Sequence, residues 1–178
     1  MTYVIGFISR NKDNTHIEGF RPRSKHFLAN DFSSEDVFKK FKEFINQGFD
    51  GEFCRFYVSI NRVDEVKVKK ELAKFLIDEA VMPSGWEVRK IEDKTCSIAS
   101  KIENKIEKKW LFDCDCDKKT MLDFTKEIPK DVKYTIYPTP HGFAVITTHG
   151  FDTRKILKKY PDIELKKDAC LCYKWGRK

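Results

Sequence analysis

No apolar run in this sequence approaches the roughly 20 residues that a helix needs to cross a bilayer, which sets aside a membrane-spanning protein. The opening segment "MTYVIGFISRNK" carries an apolar stretch too short for a secretory signal. The six cysteines lack the spacing of a secreted disulfide scaffold. These absences together lead us to expect a reduced, cytoplasmic protein. Nothing in the composition points to disorder.

What is present is enough for one good core, or a core with a smaller appended unit: 178 residues, 40% of them hydrophobic. The formal charge is +7, and it is uneven. From Phe151 to Lys178 there are nine Lys/Arg against four Asp/Glu, so a charge of +5 sits in the last 28 residues. A basic end favours polyanions such as nucleic acid or nucleotide phosphates, although a lysine-rich solvated face has the same composition.

The first third reads as irregular up to "SSEDVFKKFKEFINQG". There Ser33 or Ser34 can cap a helix whose Val37, Phe38, Phe41, Phe44 and Ile45 form one apolar face, and Gly48 stops it. "FCRFYVSI" is aromatic and β-branched, which predicts a strand, and Asp64 caps a second helix carrying Val68, Leu72, Phe75 and Leu76. After the break at "MPSGW", apolar residues recur at helical spacing from Ile91 through Ile98 and Ile102 to Ile106.

The remainder reads as β-α-β-β-α-β: a strand from Trp110 to Cys116, a short helix with Met121 and Leu122, the strands "KYTIY" and "FAVITT" around the turn "PTPHG", the helix "DTRKILKKY", and the final extended runs "DIEL" and "ACLCYKW". The expectation is therefore an α+β protein. Residues 1–108 form an N-terminal α/β region, and residues 109–178 form a ferredoxin-like or RRM-like βαββαβ core of the kind polymerase palms use, with both helices on one face of the sheet and the other face open. The two parts are expected to form one compact unit.

Within "WLFDCDCDKK", strand alternation sends Asp113, Asp115 and Asp117 to one face and Phe112, Cys114 and Cys116 to the other. Asp is depleted in strands, and three on one face repel one another unless solvent, basic neighbours or a bound cation offsets the charge. Hard cations such as Mg²⁺ or Mn²⁺ suit such oxygens, and two of them can clamp the attacking and leaving oxygens of phosphoryl transfer. A solvated acidic face is the competing reading. Cys114, Cys116, Cys170 and Cys172 would share neighbouring strands of this sheet, as a zinc site or, more simply, as core packing.

The apolar run "WLFDCD", the hairpin "YPTPHGFAVIT" and the later "YPDIELKKDACLCY" resemble, in order, the three signature regions of the archaeo-eukaryotic primase superfamily, particularly its small phage and bacterial primase-polymerase-like members. The resemblance implies a role in DNA replication: nucleotidyl transfer with Mg²⁺ or Mn²⁺, acting on a nucleoside triphosphate and on nucleic acid, either single-stranded or a primer-template. It implies metal roles for Asp113 and Asp115, joined by Asp117 on the same face, and Glu164 (or Asp162 or Asp168) as the third carboxylate. Where the family carries a nucleotide-binding histidine, this chain has Ala144; His141, three residues earlier, is the candidate substitute. Lys166 and Lys167 are candidate phosphate contacts, and Phe143 and Tyr173 candidate stacking rings. Two other readings stay open: a non-catalytic nucleic-acid- or partner-binding module on the same fold, and a metal-dependent nuclease or phosphatase.

Overall fold

The computed structural model describes all residues from Met1 to Lys178. In chain order the elements are β1 (Tyr3–Ser9), β2 (Arg23–Ala29), α1 (Glu35–Asn46), β3 (Phe53–Ser59), α2 (Glu65–Val81), α3 (Ile91–Ala99), β4 (Trp110–Cys114), α4 (Lys118–Lys126), β5 (Tyr134–Thr139), β6 (Gly142–Thr147), α5 (Arg154–Lys159), β7 (Ile163–Lys167) and β8 (Cys170–Arg177). They build a mixed α+β protein with two antiparallel four-stranded sheets, ordered β2-β1-β3-β8 and β5-β6-β4-β7. No helix is long and apolar enough to cross a membrane.

The two long helices start where local chemistry places them. The Ser34 hydroxyl accepts from the amide of Val37 at the head of α1, and the Asp64 carboxylate accepts from that of Lys67 at the head of α2. The α1 stripe of Val37, Phe41 and Phe44 packs on Ile5, Phe7, Cys54 and Phe56 of the first sheet. Against its other side, α2 and α3 bury Val68, Ile98 and Ala99 with Val4. In the second sheet, Phe112, Cys114, Val145 and Ile163 meet Met121 and Phe124 of α4, with Ile156 and Leu157 of α5 packed around them. Both helices of this half therefore cover one face.

Three expectations give way. The first third is not irregular: β1 and β2 pair along their full length. Helices cover β1 on both sides, so "YVIGFIS" shows no alternation, and β2 is a polar edge strand. The helical period after Ile91 does not run to Ile106. Here α3 stops at Ala99, and the Asn104 amide folds back to donate to the Ile98 carbonyl at 2.9 Å. Finally, "ACLCYKW" does not belong to the second sheet. Asp168 takes a left-handed conformation (φ 51°) between β7 and β8, and β8 returns to the first sheet to pair with β3.

That return also covers the face that was expected to stand open. Leu171 of β8 and Ile60, just after β3, pack on Leu111 and Ala144 of the second sheet. The sheets thus meet at an apolar centre, and the spaces beside it become clefts.

Candidate functional site

One cleft, of about 310 Å³, opens beside that apolar contact. Its second-sheet wall follows from register. β4 is an inner strand, and Asp113 sits directly between Ala144 on β6 and Glu164 on β7. Asp113, Asp115 and Glu164 all line the cleft. Of the three later carboxylates, Glu164 pairs with Asp113 in register and lines the cleft with it, and Asp168 accepts from the Asn61 side chain.

Lys166 lies on the same side of β7, with Nζ 2.5 Å from Asp113 Oδ2 and 3.4 Å from Glu164 Oε2. Burial works to lower the ammonium's pKa, but the hydrogen bond to Asp113 and attraction to both carboxylates outweigh it and hold it above the ordinary lysine value. A cation therefore already bridges the Asp113–Glu164 pair. No three His, Cys, Asp or Glu side chains converge into a ready metal cage. The donor set still suits Mg²⁺, which characteristically takes one or two carboxylates and completes its shell with water and substrate phosphates.

Two residues assigned with this group lie elsewhere. The strand ends at Cys114, and Asp117 caps α4 instead, accepting from the amides of Lys119 at 2.7 Å and Thr120 at 3.0 Å. Lys167 obeys the alternation of β7 and points away from Lys166, with its ammonium 4.8 Å from the Trp110 ring centroid.

The opposite wall comes from the first sheet, and the sequence reading missed it. Arg10 and Lys12 follow β1, Arg55 comes from the middle of β3, and all three line the cleft. Arg55 is buried and donates twice to Asp13, at 2.7 and 2.8 Å, while Arg10 donates to the same carboxylate. Burial by itself would raise the Asp13 carboxyl, but the hydrogen bonds and charges of Arg10 and Arg55 bring it down to about 2. An arginine inside the apolar run "FCRFYVSI" was the available signal, since a buried guanidinium requires a partner.

His141 joins this wall from the two-residue turn between β5 and β6. Its Nε2 lies 3.0 Å from Arg55 Nη2. A guanidinium only donates, so in such a hydrogen bond the imidazole nitrogen is the acceptor. The turn is held close to the acidic strand because Gly142 has no side chain: a Cβ there would lie 2.1 Å from the Cys114 carbonyl oxygen. Ala144 also lines the cleft, 1% exposed, in the row beside Asp113.

The cysteines and the basic C-terminal stretch are distributed differently from expectation. Cys114 and Cys116 belong to the second half, Cys170 and Cys172 to β8 of the first sheet, and all six thiols are free. Cys114 is buried and pushed up to about 12 by desolvation; Cys172, also buried, is pushed up to about 11 for the same main reason, so both are neutral thiols. Cys116 is half-buried and Cys170 exposed. The positive residues after Phe151 spread over α5, β7 and β8, and among them Lys166 lines the cleft. Phe143 packs toward the helix-covered core, and Tyr173 against α1.

The arrangement places carboxylates, which can hold a hard cation, beside Arg10, Lys12, Arg55 and His141, which can hold phosphate oxygens. No protein-family model, curated protein or solved structure matches this chain.

Proposed function

We propose that this chain is a primase-polymerase-like protein that binds a nucleoside triphosphate with Mg²⁺ or Mn²⁺ in the cleft between its sheets and acts on single-stranded or primer-template nucleic acid. The observation that carries the reading is the cleft's two-sided chemistry: Asp113, Asp115 and Glu164 on one wall, with Arg10, Lys12 and Arg55 on the other. The topology supports it. The order β5-β6-β4-β7, with α4 and α5 on one face, is how a ferredoxin-like βαββαβ unit is connected, and residues 110–167 are read as the palm-like core. The resemblance of the three segments to the archaeo-eukaryotic primase superfamily supports it independently of the geometry.

In this reading Asp113 and Glu164, with Asp115 beside them, would supply the one or two carboxylates that a divalent ion takes. When bound, that ion polarises the phosphoryl group and steadies the charge that develops on its oxygens. Arg55 and Arg10, both held by Asp13, and the exposed Lys12 would bind the phosphates electrostatically. His141 adds a hydrogen bond from the turn, the role that the family gives to the histidine replaced here by Ala144. Lys166, which pairs with Asp113 and Glu164, would be free to meet the phosphates where an ion took its place between them.

The test is nucleotide incorporation on a primed single-stranded template with Mn²⁺ or Mg²⁺. Asp113→Asn should reduce it on the order of a hundredfold or more, the scale of losing one preorganised electrostatic contact to a transition state. His141→Ala should mainly raise KM for the nucleotide. Strand cleavage without incorporation would replace this reading by a nuclease, and strand binding without turnover by a non-catalytic module. Absence of any Mn²⁺-dependent nucleotide binding would end it.

A further inference from the structure

A second cavity, of about 200 Å³, lies between the same two sheets. Its walls are aromatic: Tyr3, Phe32 and Tyr173 from the first half and Tyr137 from β5. Phe32 meets both Tyr3 and Tyr173 edge-on with centroids 5.1 Å apart, which fixes one wall as a rigid aromatic corner. The recess opens to solvent beside the exposed Lys133 and Thr135, and the chemistry of its lining indicates what fits.

Two lysines line it as well. Lys133 is exposed and makes no ion pair, so its charge is available to a ligand. Lys109 lies 3.6 Å from Glu107, whose carboxylate is also held by Arg62 at 2.5 Å. The ligand is thus planar and apolar at one end and anionic at the other. The cavity is smaller than the roughly 300–1,000 Å³ that encloses a drug-sized molecule, so it admits a ring system and leaves the rest of the ligand outside. Aromatic side chains beside a free ammonium are the elements by which proteins stack a base and hold its phosphate.

We infer that this recess is a nucleotide-unit site, distinct from the carboxylate cleft, in which a nucleobase enters beside Tyr137 and Tyr173 while its phosphate pairs with Lys133. The unit is either a free nucleoside monophosphate or one residue of a single strand. The site needs no metal, and so it stands or falls separately from the function proposed above.

The experiment is calorimetric titration of the full chain in EDTA at low salt with thymidine and adenosine 5′-monophosphates, and separately with a short single-stranded oligonucleotide. Binding is expected, weakened at least tenfold by Lys133→Glu and by Thr135→Trp, which fills the recess from an exposed strand position, and unchanged by Asp113→Asn. Mononucleotides binding as tightly as the oligonucleotide would support the site and assign it to free nucleotide. A much tighter oligonucleotide would support it and assign it to a strand. Absence of binding to either probe in EDTA, or binding lost in Asp113→Asn and kept in Lys133→Glu and Thr135→Trp, would overturn the inference.

Discussion

The Lys166 ammonium sits 2.5 Å from the Asp113 carboxylate and so occupies, within the protein itself, a cation position between Asp113 and Glu164. Any metal ion that uses this pair competes with a tethered charge.

Removing that competitor should therefore strengthen metal binding. Lys166→Met is expected to bind Mn²⁺ several-fold more tightly than the unmodified protein when nucleotide is absent, measured by electron paramagnetic resonance of free Mn²⁺. Lys166 and Asp113 are only partly exposed, at 40% and 27% of their side chains, so the stability cost should be about 1 kcal/mol. Unchanged or weaker Mn²⁺ affinity would show that the ion does not use this pair.

Gly142 sets the distance between the hairpin turn and the acidic strand. In Gly142→Ala the new methyl would run into the Cys114 carbonyl, and backbone has to move to relieve it. We expect a loss of about 1–3 kcal/mol, as for overpacking elsewhere, read from urea unfolding, together with weaker nucleotide binding through displaced His141. A variant as stable as the parent would show that the hairpin can shift freely.

Ala144 tests the missing histidine, but its surroundings limit the outcome. It is packed with Ile60, Leu111 and Leu171 where the sheets meet. Ala144→His should lower stability by about 1–3 kcal/mol, while any gain in nucleotide affinity would indicate that the ring reaches the cleft. Gain of affinity without loss of stability would mean that the apolar centre is looser than this packing implies.

Acid should weaken the basic wall in a defined window. The folded Asp13 carboxyl lies at about 2 against an ordinary 3.8, so its contribution is complete above about pH 4 and is lost as pH falls through 2. The shift corresponds to about 2 kcal/mol. Asp13→Asn should be destabilised by at least that amount at pH 6, since Arg55 loses its charged partner, and the difference from the parent should shrink between about pH 4 and pH 2. A difference independent of pH would show that the ion pair contributes nothing.

Much of the second half was legible because its signals are local. Caps and apolar periods lie within a few residues of the elements they define, and the order β4-α4-β5-β6-α5-β7 follows from them. Whereas Glu164 is named only through the family resemblance, as one of three alternatives with Asp162 and Asp168, the same locality pointed to the acidic pair Asp113 and Asp115. It failed at Asp117, where the alternation of a strand was carried past Cys114 into the cap of α4, and at Lys167, which β7 turns away from its neighbour.

The sequence by itself determined the starts of α1 and α2, the acidic strand and the strand–helix order of residues 110–167, because hydrogen bonds and side-chain periods within one element depend on near neighbours. Only the tertiary structure decided that β8 leaves its expected sheet for β3, that the open face becomes two clefts, and that Arg10, Lys12 and Arg55 stand with the carboxylates. Arg55 and His141 touch at 3.0 Å although 86 residues separate them. Such contacts arise from which strand edges remain to be paired and which apolar faces remain to be buried after local elements form, and no short window of residues contains that information.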